Sequence, residues 1–487
     1  MDWASARNGG VAWGLQSLLV AQGYVCLSPR EVRPTFGANK DMDTSRTFAV
    51  RTPPLVSRAT WFQIGSEPGL LMFKLAILTM LVQAVVVSTV VKGLVPSFLL
   101  ILAQFSLDSS STLVGRPRRD IIRSLALFLI VFAAWQSISQ MSNVFWPPNL
   151  QRAQLISPED PSVVLLRKSL FTQSIYLVTC VIFYLYMRGH LRRHDNPDQL
   201  LRLARVGALV FVAYGFYEVF GYALLHQNVD FLSNRITGNE GGNYSNFQRL
   251  ALGGFDLVRM KSLSSEASMF AFSLLPFMIL YRYQKDWAWI PLLAAVIVST
   301  STTAYLGLLT FFAGEALLFQ RWRRLFIGCT VVGIAWLYLQ TTAVGHLIGF
   351  ATDKIMLENN SGAMRSALFH NSINIYADGT LLHQLFGHGF GYIRSTDGIS
   401  TLLVNVGALG VLAYLIFTLY PFIRIRLNTD YRRALLLGSI VAIVTSFVSV
   451  SEFFFFQTWF FTALAWHELY RDRQNAGRPV FQPISPQ

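Results

Sequence analysis

The stretch 400-STLLVNVGALGVLAYLIFTLYP-421 decides the fold class, because it contains no charged side chain. A helix of about 20 residues is long enough to cross the roughly 30 Å hydrocarbon core of a bilayer. Similar apolar stretches recur from residue 69 to residue 468, with short basic segments between them. The sequence therefore predicts an all-α, polytopic membrane protein.

The composition argues against other classes of protein. The chain has 487 residues, of which 53% are hydrophobic and 14% are charged, whereas ordinary soluble domains are about 25% charged. Much of the net charge of +14 comes from arginines between the spans, where membrane insertion rather than nucleic-acid binding places them. The three cysteines have no metal or disulfide spacing. We therefore expect no nucleic-acid partner, no metal and no redox cofactor.

The hydropathy pattern predicts about twelve membrane spans within a transmembrane domain of residues 69–470. Residues 1–68 read as a poorly ordered cytoplasmic N-terminal extension, and residues 471–487 as a cytoplasmic tail. The predicted spans are 69–91, 93–107, 120–140, 168–187, 206–226, 265–281, 287–299, 302–319, 325–345, 400–421, 434–450 and 453–468.

The distribution of Lys and Arg predicts the orientation, because positive charge is retained on the cytoplasmic side. Five short connections hold 18 Lys or Arg in 44 residues, whereas the two longest, 227–262 and 346–399, hold 7 in 90. Threading the spans in order gives the same alternation, with both termini cytoplasmic and both long loops periplasmic. Because long polar loops carry function more often than short turns, we expect the chemistry outside.

Acidic residues near the hydrocarbon core each need a physical reason, since a buried charge is costly. Glu315 lies near a cytoplasmic helix end, where Arg321 can neutralise it. Glu218 lies in the outer half of a span, and Glu266 and Glu452 lie at outer helix ends. These three carboxylates would line one outer-leaflet cavity if the bundle brings them together. Alternatively, Glu218 pairs with a Tyr or Arg across helices.

The long loops supply arginines, whose planar guanidinium binds phosphate oxygens in pairs and stays charged at working pH. A diphosphate at the membrane surface would need two or three of them, and Arg259, Arg365 and Arg394 are the candidates. The remaining loop cations read as solvated charges. The spacing of His370, His383 and His388 matches no zinc pattern.

Glycines punctuate the end of the second long loop. Gly387, Gly389 and Gly391 form a G-x-G-x-G run, but no strand precedes it, so a dinucleotide fingerprint is not indicated. The run instead predicts backbone room for a sharp re-entry turn. Gly407 and Gly410 predict close helix packing.

Two segments carry a family resemblance. The first is 259-RMKSLSSEASMFAFSLLPFMI-279, in which an arginine leads into S-S-E-A-S-x-F-A at the head of a span. The second runs from Arg365 through G-x-G-F-G to the span that ends at Phe417. Together with the span count and the late long loop, they resemble the O-antigen polymerase and O-antigen ligase superfamily, which includes exopolysaccharide polymerases. The resemblance covers roughly residues 70 to 468.

The resemblance implies a GT-C-like bundle in the bacterial inner membrane and a glycosyltransferase that uses neither metal nor nucleotide sugar. Its substrate would be undecaprenyl-diphosphate-linked oligosaccharide, with a chain-length regulator and a flippase as further partners. Arg259 and Arg365 would take the positions of the family's loop arginines, and Glu266 the acidic position. Ligases of the superfamily usually have a His-Asn pair where this chain has 396-TDG-398, which favours a polymerase, although His370-Asn371 keeps a ligase open.

The implied mechanism is attack of a sugar hydroxyl on the anomeric carbon of a second lipid-linked chain. The arginines would hold the leaving diphosphate, while Glu266 or else His370 accepts the hydroxyl proton. Glu218 is a further catalytic candidate in the same outer cavity. A transporter or lipid-linked sugar flippase is the main alternative, although no symmetry-related repeat is evident. A structural partner of an export complex is the third, and it predicts that every loop arginine tolerates replacement by Ala.

Overall fold

The protein is helical apart from one β-hairpin and the connecting segments, within the part of the chain that the structure describes. Six helices among these residues are long and apolar enough to cross a membrane, which confirms an all-α membrane protein. The number of twelve spans stays a prediction. The computed structural model describes residues 70–87, 94–110, 116–151, 153–156, 160, 162–235, 249–252, 255–323, 326, 360–451 and 454–476.

The first half of the described chain supplies a short helix followed by longer ones. They are α1 (Leu71–Leu78), α2 (Pro96–Ser110), α3 (Arg116–Phe145), α4 (Lys168–His194) and α5 (Asp198–Leu225). An antiparallel hairpin follows, made of β1 (Arg249–Leu252) and β2 (Phe255–Val258), with Arg249 paired to Val258.

The second half of the described chain begins with the central helix of the bundle. Its elements are α6 (Ala267–Tyr283), α7 (Trp289–Val298), α8 (Thr302–Phe319), α9 (Asn360–Ala377), α10 (Leu381–Phe386), α11 (Gly398–Arg424), α12 (Asp430–Ser449) and α13 (Phe456–Ala476).

Helix α6 forms the core because it is apolar on all sides. Nearly all of its residues are buried, and it packs against α7, α8 and α12. A helix that is hydrophobic all round has no face for water, so it belongs inside a bundle. Helix α3 is the opposite case, since apolar side chains such as Ile130 and Val131 are exposed along it. An exposed apolar surface of this kind fits lipid.

The first predicted span, 69–91, is wrong as a continuous helix. Helix α1 ends at Leu78, and the residues that follow are not helical. The amides of Gln83 and Ala84 donate to the carbonyl of Leu263 at 2.8 and 2.7 Å, and the amide of Asn234 donates to the carbonyl of Ala84 at 3.1 Å. Unwound backbone is tolerated at membrane depth when other protein segments pair its polar groups, as they do here.

Both predicted long loops contain regular secondary structure within their described residues. Loop 227–262 contains the hairpin, and loop 346–399 contains α9 and α10. The predicted tail begins as helix, because α13 continues to Ala476. The N-terminal extension, almost all of span 325–345, Glu452 and residues 477–487 lie outside the described residues.

The basic segments meet at one end of the bundle, where acidic side chains pair with them. Glu315 accepts hydrogen bonds from Arg321 at 3.4 Å and from the Tyr283 hydroxyl at 2.9 Å, which confirms the predicted neutralisation. Arg432 pairs with Glu468 and with Asp472, both at 2.9 Å. Arg282 also pairs with Glu315, Arg205 with Asp286, and Arg433 lies over the Phe319 ring. Four of the segments predicted to be cytoplasmic, 188–205, 282–285, 321–324 and 424–433, therefore share one end. The membrane side that this end faces stays a prediction.

Segment 387–397, between α10 and α11, crosses α11 at a kink. Gly407 has a φ of 68°, and a Cβ added there would lie 2.3 Å from the carbonyl carbon of Leu385. A Cβ added at Gly387, whose φ is 78°, would lie equally close to the carbonyl of Asn405. The two backbones approach too closely for side chains at either glycine. This contact confirms the predicted re-entry turn and close packing.

The kink leaves carbonyls of α11 without hydrogen-bond donors from the helix. Backbone amides of segment 387–397 donate to these carbonyls instead. The amide of His388 donates to the carbonyl of Val404 at 2.8 Å, and the amide of Gly389 donates to the carbonyl of Asn405 at 3.2 Å. The Asn405 amide side chain accepts from the amides of Tyr392 and Ile393 at 2.8 and 3.0 Å. These bonds fix the segment although it is buried.

Helix α3 holds the other side of the same segment through a polar stripe. Trp135 and Ser139 donate to the carbonyl of Phe386 at 3.0 and 2.9 Å. Asn143 donates to the carbonyl of His388 at 2.6 Å, and the remaining members of the stripe accept hydrogen bonds. These are Gln136, which accepts from the Phe390 amide, and Gln140, which accepts from the Tyr392 hydroxyl.

We predict that Gly387→Ala destabilises the protein by at least about 2 kcal/mol, because it combines a left-handed φ with a backbone clash. Thermal unfolding of the full chain in detergent measures this. Gly189→Ala is the matched control. Gly189 lies within helix α4, and a Cβ added there would meet only the Ile121 side chain, at 3.8 Å. The control should be neutral or slightly stabilising. Equal melting temperatures for the two variants would contradict the close approach.

Candidate functional site

Arg259 follows β2 and precedes α6, so it lies where the hairpin returns to the bundle. It is half-buried, and its Nη2 donates to the carbonyl of Thr300 at 3.4 Å in the turn before α8. Burial lowers the pKa of the Arg259 guanidinium, Glu266 opposes this change, and the charge of Arg365 adds to it. The structure therefore places Glu266 and Arg365 within electrostatic reach of Arg259.

Arg365 lies on α9 and is also half-buried. Its carbonyl accepts a hydrogen bond from the Thr396 hydroxyl at 3.4 Å, which connects α9 to segment 387–397. Among the described residues its guanidinium forms no ion pair. A second cation near Arg259 without a carboxylate partner among the described residues has the chemistry to bind an anion.

Arg394 reaches the same region through hydroxyl side chains. Its Nε donates to the Ser451 hydroxyl at 3.5 Å, and it lies two residues before Thr396. Ser449, two residues before Ser451, accepts from the Thr303 hydroxyl at 2.8 Å, so this end of α12 packs beside the start of α8. We call Arg259, Arg365 and Arg394 the arginine cluster. The sequence placed all three in the long loops, and the structure gathers them at one end of the bundle.

Glu266 occupies the position immediately before α6. It is half-buried, and one carboxylate oxygen accepts from the Ser268 hydroxyl at 3.1 Å. Its carboxylate acts on the charge of Arg259 without an ion pair closer than 4 Å among the described residues. A carboxylate that lies near a guanidinium but is not bound to it can still accept a proton from a substrate.

Glu218 belongs to a different cluster, which the sequence did not predict in this form. Its Oε2 accepts from the amide of Ser262 at 2.8 Å, and its Oε1 lies 3.4 Å from the Lys261 ammonium. Lys261 also donates to Asp230 at 2.5 Å. All three side chains are buried, and the single ammonium of Lys261 lies against both carboxylates. The partner of Glu218 is thus a lysine, not the predicted Tyr or Arg.

This buried cluster favours a positioning role for Glu218 over a catalytic one, because both carboxylate oxygens are already occupied. Lys261 lies two residues after Arg259, so the cluster anchors the segment that carries the first arginine. Glu218 is bound to Lys261, and Glu452 lies outside the described residues, so the cavity lined by Glu218, Glu266 and Glu452 stays a prediction.

His370 lies on α9 but on a different side of that helix from Arg365. It lies five residues after Arg365, which turns it about 140° around the helix axis. Its ring is exposed, and its Nδ1 lies 2.8 Å from the carbonyl of Ser366. Of the two candidate bases, only Glu266 lies within electrostatic reach of Arg259.

Two histidines named from the sequence, His383 and His388, are buried, and the sequence did not predict that they lie side by side. The rings of His383 and His388 lie 4.3 Å apart, and His383 Nε2 lies 3.1 Å from Asn143 Oδ1. Burial lowers the pKa of His388 to about 3, with His383 adding to the effect and the Ile375 carbonyl opposing it. His388 is therefore neutral near pH 7, and the pair belongs to the packing of α10 against α3. No group of three metal-ligating side chains occurs among the described residues.

Hydroxyl groups beside the arginine cluster also escaped the sequence analysis. Ser264 and Ser265 lie between Arg259 and Glu266, and Ser301 lies at the start of α8. Their hydroxyls are buried without a hydrogen-bond partner in the described part of the chain. The runs 262-SLSS-265 and 299-STSTT-303 were the available signal. Serine and threonine are so common near helix ends that the runs alone do not indicate a site.

Comparison with models of protein families, with curated proteins and with solved structures finds no match to this chain. A function is therefore inferred from the residues of the site.

We predict that acid weakens the fold by protonating Asp230. Although burial opposes it, the hydrogen bond from Lys261 lowers the folded-state pKa of Asp230 from 3.8 to about 2. Its stabilising effect is then complete above about pH 4 and is lost as the pH falls towards 2. Melting temperatures of the full chain in detergent at pH 5, 4, 3 and 2 should decrease less steeply for Asp230→Asn than for the wild type. Asp378→Asn, which removes an exposed carboxylate, should retain the wild-type slope. An unchanged slope for Asp230→Asn would contradict the ion cluster.

Proposed function

We propose that the protein is a polysaccharide polymerase of the bacterial inner membrane. It joins undecaprenyl-diphosphate-linked oligosaccharide units at the periplasmic face and releases undecaprenyl diphosphate. The observation that carries this proposal is the convergence of Arg259 and Arg365 beside Glu266, at helix ends separate from the paired basic turns. Two guanidinium groups suit a diphosphate, because each can bind two phosphate oxygens.

The reaction transfers a glycosyl group. An acceptor sugar hydroxyl forms a C–O bond to the anomeric carbon of a second chain, while the bond from that carbon to the diphosphate oxygen breaks. The negative charge that develops on the leaving diphosphate is stabilised by Arg259 and Arg365, with Arg394 as the third cation. The proton of the hydroxyl passes to Glu266.

Membrane embedding fits this substrate. The arginine cluster lies where α6, α8 and α11 begin and where α12 ends, and these helices include three long enough to span the bilayer. A polyprenyl tail can then remain in the hydrocarbon region while its diphosphate reaches the arginines at the helix ends. With the anion site at this position, the polyprenyl tail does not have to leave the hydrocarbon region for the diphosphate to reach the arginines.

We predict that Arg259→Lys and Arg365→Lys each lower polymerisation about a hundredfold. An ammonium is a point charge, and it does not replace the paired hydrogen bonds of a guanidinium. The measurement is extension of lipid-linked oligosaccharide by the purified full chain, supported by polymer length in cells that lack the native copy. Arg123→Lys, an exposed position near the start of α3, is the matched control and should retain full activity. Wild-type rates in both site variants would remove the arginines from the site.

We predict that the pH–rate profiles of two variants distinguish Glu266 from His370 as the general base. Glu266→Gln should lower the rate at least about a hundredfold and abolish the acidic limb of the profile, because the amide cannot accept a proton. His370→Ala should leave the acidic limb in place, since His370 lies on another face of α9. The opposite pattern would assign the base to His370. Intact folding of both variants is checked by their melting temperatures.

A further inference from the structure

Helix α8 begins without a side-chain cap, although the residue before it is a serine, a type that commonly caps helices. Ser301 precedes Thr302 in the extended conformation of a capping residue, yet its side chain accepts no hydrogen bond from the first turn. By contrast, Thr380, Asp397 and Thr429 cap α10, α11 and α12 with their side-chain oxygens. The first amides of a helix have no intrahelical acceptor, so those of α8 remain available to a ligand.

The Ser301 hydroxyl gives a second and independent indication of a ligand. The residue is fully buried, and its hydroxyl forms no hydrogen bond within the described part of the chain. Buried polar groups in folded proteins nearly always have a partner. Because Ser301 is the residue before the helix, its hydroxyl and the first amides of α8 are donors around the same point.

The charges around this point select an anion. The N-terminus of a helix carries partial positive charge, and Arg259 lies one residue away through its bond to the Thr300 carbonyl. Helix α6 also begins beside Arg259, but Glu266 precedes it and would repel a second anion there. The start of α8 is thus the better of these two helix ends for a phosphate group.

Arg259 contacts the turn before α8 and also lies within electrostatic reach of Arg365. We propose that the Ser301 hydroxyl and the first-turn amides of α8 bind one phosphate group of a diphosphate, while Arg259 and Arg365 bind the other. This inference rests on the proposed function and deepens it, because it explains how the site selects a diphosphate over a monophosphate. It also assigns a binding role to a helix end whose side chains carry no charge.

The test measures binding of farnesyl diphosphate and farnesyl phosphate to the full chain in lipid nanodiscs by isothermal titration. The wild type should bind the diphosphate at least about tenfold more tightly than the monophosphate. Ser301→Ala should weaken binding of the diphosphate about tenfold and leave binding of the monophosphate within about twofold.

Ser301→Asp gives the sharper result. Aspartate is a favourable residue before a helix, and its negative charge suits the helix N-terminus, so the melting temperature should be unchanged or higher. The same carboxylate occupies the phosphate position and should weaken diphosphate binding at least about a hundredfold. Thr429→Asp places the same residue before α12 at the basic end and is the matched control, with wild-type affinity expected.

The outcomes separate this inference from the proposed function. If Arg259→Lys weakens diphosphate binding while both Ser301 variants bind like the wild type, the α8 site is wrong and the diphosphate-binding arginines remain. Equal weakening by Ser301→Asp and Thr429→Asp also overturns the α8 site, because the effect would then not depend on position. A wild type that binds neither farnesyl compound overturns both proposals.

Discussion

Pairing of buried backbone amides and carbonyls outside the helices is the constraint on which the rest of this structure depends. Inside an apolar bundle an unpaired N–H or C=O group costs several kcal/mol, so irregular backbone is stable only where other groups pair with it. Segment 387–397 meets this condition through the carbonyls released by the kink at Gly407, through Asn405 and through the polar stripe of α3. Residues 79–87 meet it through Leu263 and the chain near Asn234.

These irregular segments hold the arginine cluster in place. Segment 387–397 carries Arg394 directly and connects to α9, which carries Arg365, through Thr396. The unwound residues 79–87 bond to the chain between Arg259 and α6. The buried ions of Lys261, Glu218 and Asp230 fix the same chain from its other side. The positions of the cations therefore follow from bonds among uncharged backbone groups and from one buried ion cluster.

The sequence predicted features that depend on local composition. Apolar stretches predicted the helical membrane fold, and the spacing of Lys and Arg predicted the segments that share one end. The glycine run predicted the tight turn at Gly387. The sequence did not predict the break after Leu78, since an apolar segment whose backbone pairs with distant residues has the same hydropathy pattern as a membrane helix. Nor did the sequence pair Lys261 with Glu218, because a partner 43 residues away depends on how the segment before α6 packs against α5. The three arginines of the candidate site were named because a guanidinium in a long loop suits a phosphate ligand, whereas the buried serines had no distinguishing pattern.

The polar stripe of α3 has a consequence for synthesis of the chain. Asn143 finds its acceptor at His388, 245 residues later. At about 5 to 20 residues per second, a ribosome needs roughly 12 to 50 s to make the intervening chain. Throughout that interval, amide and hydroxyl groups on an early membrane helix lack their final partners. Maturation of the N-terminal half thus waits for the C-terminal third, and a nascent chain that stops before the glycine run leaves an incompletely assembled helix exposed to quality control.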